Sequence, residues 1–358
     1  MITVSAKTAG ILAGTSWVYR VRVESWLAGQ LLDDDVPIAA GGEETDRSLR
    51  VPERVTLTVP RTQRGVSYAP TTDDHPLAAN GQRIRVLLGV GARGGDVEWL
   101  QRGWFVITES QVSGDTVDVS AVGLLSLIDE ARLVGPYQPS GTVGGTVRGL
   151  LEPALTVNLT AAPTDRSVPA GIAVDEDRLQ GVLDVLDAWA ADGTVDETGV
   201  FTVVPASQST VADVTLSRTG TVVRAVGGST RDGAYNVVVA RGTAADGGQV
   251  QGVAWLTTGP KRVGGSFNPL PVPFYFSSPL LTTVAQCSAA AATIRDRKQR
   301  TTSQLYMVEA VPDPRLQGGD VAALDADGIQ VPACSIETIR LPYTPDGGVM
   351  QLGVRSLS

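Results

Sequence analysis

The sequence predicts a mainly β fold interrupted by a small α/β insert, and three observations carry that reading. The 40 glycines and 21 prolines in 358 residues cut the chain into many short elements. Runs rich in Val, Ile, Thr, Trp and Tyr alternate apolar with polar at a period of two, the mark of a half-buried strand. The pattern then shifts to helical spacing near residue 135 and returns to strands after residue 206. With 42% hydrophobic and 19% charged residues, the chain can bury a core and is neither disordered nor membrane-like in composition. Its length suggests two to three domains.

The first β domain is expected over residues 1–134. Trp17–Trp26 alternates, Leu49–Val59 places Val51, Val55, Leu57 and Val59 in twos, and Arg83–Leu88, Trp99–Thr108 and Thr116–Val122 repeat the pattern. Several short strands at such spacing suggest a sandwich or barrel. Leu124, Leu127, Ile128 and Ala131 then share one face of a short helix over 123–132. The α/β insert covers 135–206. A Pro- and Gly-rich linker opens it, and a short helix is expected at 146–151. A second helix carries Leu179, Val182, Leu183, Leu186 and Trp189, with Asp175 as its expected N-cap. A hairpin over 194–204 closes the insert. The second β domain covers 207–358. Its clearest strands are Val222–Val226, Tyr235–Ala240, Gln249–Trp255 and Leu305–Val311, followed by four more to Val354. A helix rich in small residues is expected at 282–297, with Arg295, Arg297, Lys298 and Arg300 near its C-terminal end. Asp327-Gly328 and Gly347-Gly348 are hairpin-turn chemistry.

Charge narrows the function. The net charge is −9 and the pI about 4.8, which argues against a general grip on phosphates. The cations are nearly all Arg, with Lys only at Lys7, Lys261 and Lys298. Two cysteines, Cys287 and Cys334, make neither a disulfide framework nor a zinc site. No targeting segment is evident at the start of the sequence. Residues 263–294 carry no charge, but Pro269, Pro271, Pro273 and Pro279 break that stretch, so it reads as an apolar loop and a short helix rather than a membrane span.

No catalytic, metal or cofactor site is expected. Gly89-Val-Gly-Ala-Arg-Gly94 matches a dinucleotide fingerprint, yet a strand follows it where a helix is required, so it reads as a hairpin loop. Asp325-Ala-Asp-Gly328 lacks the later ligands of a calcium loop and reads as a tight turn. Asp33, Asp34 and Asp35 with Glu43 and Glu44 read as a solvated acidic loop, with calcium left open. His75 is the one histidine and lies in a loop, and no nucleophile elbow accompanies it. The six tryptophans, at positions 17, 26, 99, 104, 189 and 255, are expected to pack in the core; sugar stacking is the alternative.

Four stretches together resemble phage tail hub proteins, the baseplate or tail-tip family that adapts tube to spike. They are Arg102–Thr108 with Thr116–Leu127, Leu186–Gly193 with Gly199–Pro205, Asp232–Gly242, and Val311–Val321. They occur in the family's order. The resemblance implies two tube-like β-barrel domains flanking a helix-plus-hairpin domain. It also implies a homotrimer whose six barrels match a sixfold tube above and a threefold spike or central fibre below, around a channel that DNA crosses without specific binding. Implied partners are the chain itself, a distal tail tube or tail-tip ring protein, a spike or fibre protein and the tape-measure protein; the implied location is the virion tail tip. Larger relatives carry enzyme or fibre extensions, so wall cutting is expected on another chain. A carbohydrate-binding surface protein and a cell-wall hydrolase with an acidic pair are the competing readings.

Interface residues are expected in two uncharged segments: Phe274, Tyr275 and Phe276, in a stretch too apolar for a free loop whose Pro271 and Pro273 suit an edge or an inter-chain clasp, and the terminal strand with Val349 and Leu352, which nothing blunts against pairing before Arg355; packing of both inside one chain is the alternative. Gly318 and Gly319 are expected to turn the chain into a strand at Asp320, with positive φ available at either glycine.

Overall fold

Alternating apolar residues become strands almost wherever the sequence shows them. The computed structural model describes every residue except 15–16, 93, 207–208, 230, 232, 303, 345–346 and 358. Arg93 of the glycine-rich loop and Asp232 of the third resembling stretch therefore lie outside the described residues. The chain begins with α1 (Ala6–Leu12), β1 (Val18–Leu27), β2 (Gln30–Asp33), β3 (Ala40–Asp46) and β4 (Glu53–Pro60). A small ribbon of β5 (Thr62–Gln63) and β6 (Val66–Ser67) precedes β7 (Arg83–Gly91), β8 (Val97–Ser113), β9 (Thr116–Gly123) and α2 (Ser126–Glu130). Then come α3 (Val143–Leu151), β10 (Thr156–Asn158), α4 (Arg178–Trp189), β11 (Ala191–Val195) and β12 (Val200–Pro205). The last part holds β13 (Val214–Ser217), β14 (Val222–Gly228), β15 (Val237–Thr243), β16 (Gln249–Trp255), β17 (Pro273–Ser277) and α5 (Val284–Thr302), then β18 (Leu305–Ala310), β19 (Val321–Ala326), β20 (Ile329–Pro342) and β21 (Met350–Ser356).

These elements sort into two compact units. The first joins Met1–Ser126, Thr210–Gly228 and Leu305–Ser356; the second is built on Leu127–Ser209 and Ser229–Gln304. The segment 207–358, expected as one β domain, is thus shared between both. Strand patterns show where strands lie and carry no record of which distant strands pair.

The first unit is one sheet of 13 strands among the described residues, in the order β14-β18-β21-β20-β3-β4-β9-β8-β7-β1-β2, with β19 on β20 and β13 on β19. Its core draws on both parts of the chain. Val55, Leu57, Val59, Val117 and Val119 share one buried cluster with Val308, Met350, Leu352 and Val354. Pro332 is tolerated inside β20 because it sits at a bulge, where the ladder to β19 skips from Ala322–Cys334 to Leu324–Val331. The turn before β20 has Asp327 and Gly328 at φ 52° and 78°, the type I′ geometry its sequence predicts. Helix α1 was not legible in the sequence. Ser5 caps it, and Ile2 and Leu12 bury against Val90 and Leu100.

In the second unit, β10, β12 and β11 form one small sheet and β16, β15 and β17 another. Asp177, not Asp175, caps α4: its carboxylate accepts from the Gln180 N–H at 2.9 Å. Such a cap contributes about 1 kcal/mol. Helix α5 lies on β15 and β16, and its Arg297 bridges Asp187 and Asp192. Among the described residues no helix is long and apolar enough to cross a membrane.

Candidate functional site

The sheet of the first unit contains one arrangement twice. Six strands, β1, β3, β4, β7, β8 and β9, lie in the lateral order β3-β4-β9-β8-β7-β1; six later ones, β13, β14, β18, β19, β20 and β21, lie in the order β14-β18-β21-β20-β19-β13. Numbered along the chain, both sets read second, third, sixth, fifth, fourth, first. Local detail repeats too. Ladder β8–β9 skips a residue between Ile107 and Glu109, and β20–β21 skips one between Ile336 and Thr338. The Ile107 N–H donates to Gln82 O at 3.0 Å and the Ile336 N–H to Asp320 O at 2.9 Å. Each acceptor precedes a strand and follows a glycine of positive φ, Gly81 at 105° and Gly319 at 95°. The sets differ at their first strand, which pairs antiparallel in β1–β7 and parallel in β13–β19.

The two sets meet where β3 pairs with β20, from Gly42–Pro342 to Asp46–Thr338. A buried charge cluster seals this seam. The Arg102 guanidinium pairs with the Glu43 carboxylate, and side-chain exposures of 4% and 5% leave the pair almost wholly shut from solvent. Arg102 also donates to the carbonyl oxygens of Pro314 and Leu316, and the Tyr343 hydroxyl donates to Glu43 Oε2 at 3.1 Å. The Tyr19 hydroxyl donates to Pro342 O at 3.0 Å. Burial, and then the Glu43 charge, push both phenols well above the usual tyrosine range. Burial works against the Arg102 charge, but Glu43 more than offsets it and raises its pKa. Glu43 therefore belongs to the seam and not to a solvated acidic loop, and sequence spacing gave no sign of Arg102 as its partner.

The residues singled out by sequence go to different places. Phe274, Tyr275 and Phe276 lie on β17, an edge strand paired parallel to β15. Phe274 meets Tyr235 edge to face at 5.2 Å with Lys298 over its ring, and Arg241 covers the Tyr275 ring at 4.8 Å. Leu352 is a correction: β21 is no open edge but lies between β18 and β20, and Leu352 is fully buried. Before Arg355 the strand carries no charge, and both its flanks are paired. Val349, just before it, is exposed. Gly319 carries the positive φ expected of this glycine pair, and Gly318 does not. The Gly319 N–H donates to Ile336 O at 2.8 Å. Asp320 accepts from the Gln317 N–H at 2.7 Å and pairs with the amino group of Met1. These three residues make the turn that leads into β19.

The His75 ring meets backbone atoms. Its Nδ1 accepts from the Leu77 N–H at 3.0 Å and its Nε2 lies 3.4 Å from Ser67 O, so the ring shapes the loop before β7. Among the described residues no group of His, Cys, Asp or Glu could hold a metal ion. The tryptophans depart from the expected core role, since only Trp189 is buried. Trp26 and Trp104 meet edge to face at 5.7 Å beneath Arg85, and Arg22 covers Trp99 at 5.1 Å. Glu24 joins the two cations. Guanidinium groups thus cover ring faces of Trp26, Trp99 and Trp104, while Trp255 is exposed at 47%.

No family model matches the chain, and no curated protein matches it by sequence. Solved structures do match. The tail protein from Neisseria meningitidis MC58 superposes with a TM-score of 0.65 at 12% identity, over 94% of this chain and 97% of that one. The 43 kDa tail protein of prophage MuSo2 from Shewanella oneidensis gives 0.61 at 13% identity, over 94% and 98%. Prophage tail protein gp18 from Listeria monocytogenes EGD-e gives 0.57 at 9% identity, over 93% and 94%. Nearly whole-chain agreement at such low identity is agreement in fold, and by its fold the chain is similar to these tail proteins.

Proposed function

We propose that this chain is a non-enzymatic structural subunit of a phage tail tip or baseplate, a homotrimeric hub that joins the tail tube to the spike or central fibre. The observation that carries the reading is the twice-repeated set of six strands in the first unit. A chain with two like strand sets presents six of them when three chains assemble. It can then meet a sixfold ring on one side and a threefold body on the other. The match in fold to three tail proteins supports the same role. DNA crosses the central channel without specific binding, in keeping with a net charge of −9. The partners of this assembly are a tube or tail-tip ring protein, a spike or fibre protein and the tape-measure protein. Electron microscopy of the purified chain, with its mass measured in solution, tests the proposal. A three-copy ring around a central hole is expected; a six-copy ring, or a monomer that hydrolyses cell-wall polymer, overturns it.

A further inference from the structure

We infer that successive copies of this chain join by pairing the open edge of β14 of one copy, antiparallel, with the open end of β8 of the next, in the register Val226–Ser113, Gly227–Val112, Gly228–Gln111. The inference rests on the hub reading for the number of copies. The repeated strand order and the seam carry it otherwise.

The seam joins the second strand of one set, β3, to the fifth strand of the other, β20. Strand β20 takes both β19 and β3 on one edge: β19 along Ile329–Ser335, then β3 along Thr338–Pro342. Its other edge holds β21. The counterpart of β20 is β8. There β7 covers Val97–Val106, β9 covers the other edge from Phe105 to Ser113, and Glu109–Ser113 has no strand on the β7 side among the described residues. The counterpart of β3 is β14, which pairs with β18 alone among the described residues. Each chain thus keeps one edge of each kind with no strand on it among the described residues, the Asp327 carboxylate capping only the Ala225 N–H of β14. On the sheet path β18, β21, β20, β3, β4 and β9 stand between them.

The register follows from the ladders. Placing Ile107 on Ile336 at the two matching skips sets Ser110 on Ile339, Val112 on Leu341 and Ser113 on Pro342. Rows across the sheets agree: Ser110–Val119–Leu57–Gly41 in one set matches Ile339–Leu352–Val308–Ala225 in the other. Gly42 then corresponds to Val226 and Glu43 to Gly227. The seam pairs Gly42–Pro342 and Glu43–Leu341 become Val226–Ser113 and Gly227–Val112 between copies.

The backbone is poised for this. The Ala225 N–H points away from β18, since it donates to Asp327 Oδ2 at 2.7 Å. Alternation turns the Gly227 N–H and C=O to the same open side. Ser113–Thr116 closes a two-residue hairpin, so Val112 faces away from β9. Val112 and Val226 are exposed apolar residues on these edges, at 42% and 45%. A contact between unlike edges is heterologous and closes a ring when its rotation allows.

Paired cysteines test the register. Ser113→Cys with Val226→Cys places two exposed thiols opposite each other only across the proposed contact, while the native Cys287 and Cys334 are buried. The control is Leu31→Cys with Val226→Cys, because Leu31 is exposed on β2 at the far end of the sheet. Mild oxidation of the full chain should give covalent dimers and trimers with the first pair, at least tenfold above the control. A ladder running past three copies would support the pairing and overturn the trimer. A three-copy assembly that gives no more cross-linking than the control overturns the pairing and leaves the hub standing. A chain that stays monomeric at every concentration, without cross-links, overturns both. Gly227→Pro removes one open-edge donor and spares the β18 side. It should keep its melting temperature and need at least tenfold more protein to assemble; unchanged assembly would count against the inference.

Discussion

Glu43 and Arg102 form an ion pair that is almost wholly shut from solvent, on the line where β3 of one strand set meets β20 of the other. Breaking it strands more than one group. Arg102→Met would leave the Glu43 carboxylate without its cation and the carbonyls of Pro314 and Leu316 without a donor. A loss of about 3–5 kcal/mol in unfolding free energy is expected. Urea titration checks this, and adding Glu43→Gln should recover part of the loss.

Glu53 gives the fold a pH dependence of definite sign. Burial, then the nearby Glu43, lift its pKa from 4.5 to about 7, although its own backbone N–H works the other way. Its Oε2 is buried without a hydrogen-bond partner. The native state therefore binds the proton more tightly than the unfolded chain. Stability is full below about pH 4.5, falls as pH rises towards 7 and stays lower above it. Glu53→Gln should flatten that window and stabilise the chain at pH 8 by about 2 kcal/mol. Thermal melts of both proteins from pH 5 to 8 check the slope; parallel curves would refute the assignment.

At φ 95°, Gly319 holds a conformation that a side chain resists, and its N–H carries a bond to Ile336. Gly319→Ala should cost about 1–2 kcal/mol. Gly319→Val should cost more, with early hydrogen exchange of the Ile336 and Asp320 amides as the local signature. The same change at Gly318, where φ is not positive, first meets the side chains of Thr45 and Arg47 and should be milder.

Helix α5 rests on Gly252 with no room between them. A Cβ on Gly252 would lie 2.2 Å from the Ser288 backbone nitrogen, and backbone cannot swing aside as a long side chain does. Gly252→Ala should lower stability by about 2 kcal/mol or more through overpacking. Circular dichroism melts with fluorescence of Trp255 on the same strand follow the loss.

Much of the β content was legible because Val55, Leu57 and Val59 or Val117, Val119 and Ala121 alternate plainly and do bury one face. Strand β3 was not legible. Its Ala-Gly-Gly-Glu-Glu-Thr-Asp has no apolar alternation, and its buried residue is Glu43, stabilised by an arginine from β8. Gly319 was legible from its residue type, since only glycine takes that φ freely. The terminal strand misled because its uncharged run before Arg355 fits two situations: an edge open for pairing, or cover on both sides. Leu352 belongs to the second kind. The pairing of the two strand sets was beyond local reading, for Glu43 and Tyr343 are 300 residues apart.

The position of β21 also bears on the order in which the molecule forms. It is the last strand in sequence yet lies inside the sheet, filling the gap between β18 and β20. The second unit is interposed twice between segments of the first, so its local helices and hairpin can settle while the larger sheet is still incomplete. Until β21 docks, β18 and β20 expose facing rows of unpaired N–H and C=O groups, and β3 waits for a partner across a very long loop. Such non-local closure is slow. During that interval the nascent sheet is open to capture by another chain at an interior gap, a hazard that ends when Leu352 is buried.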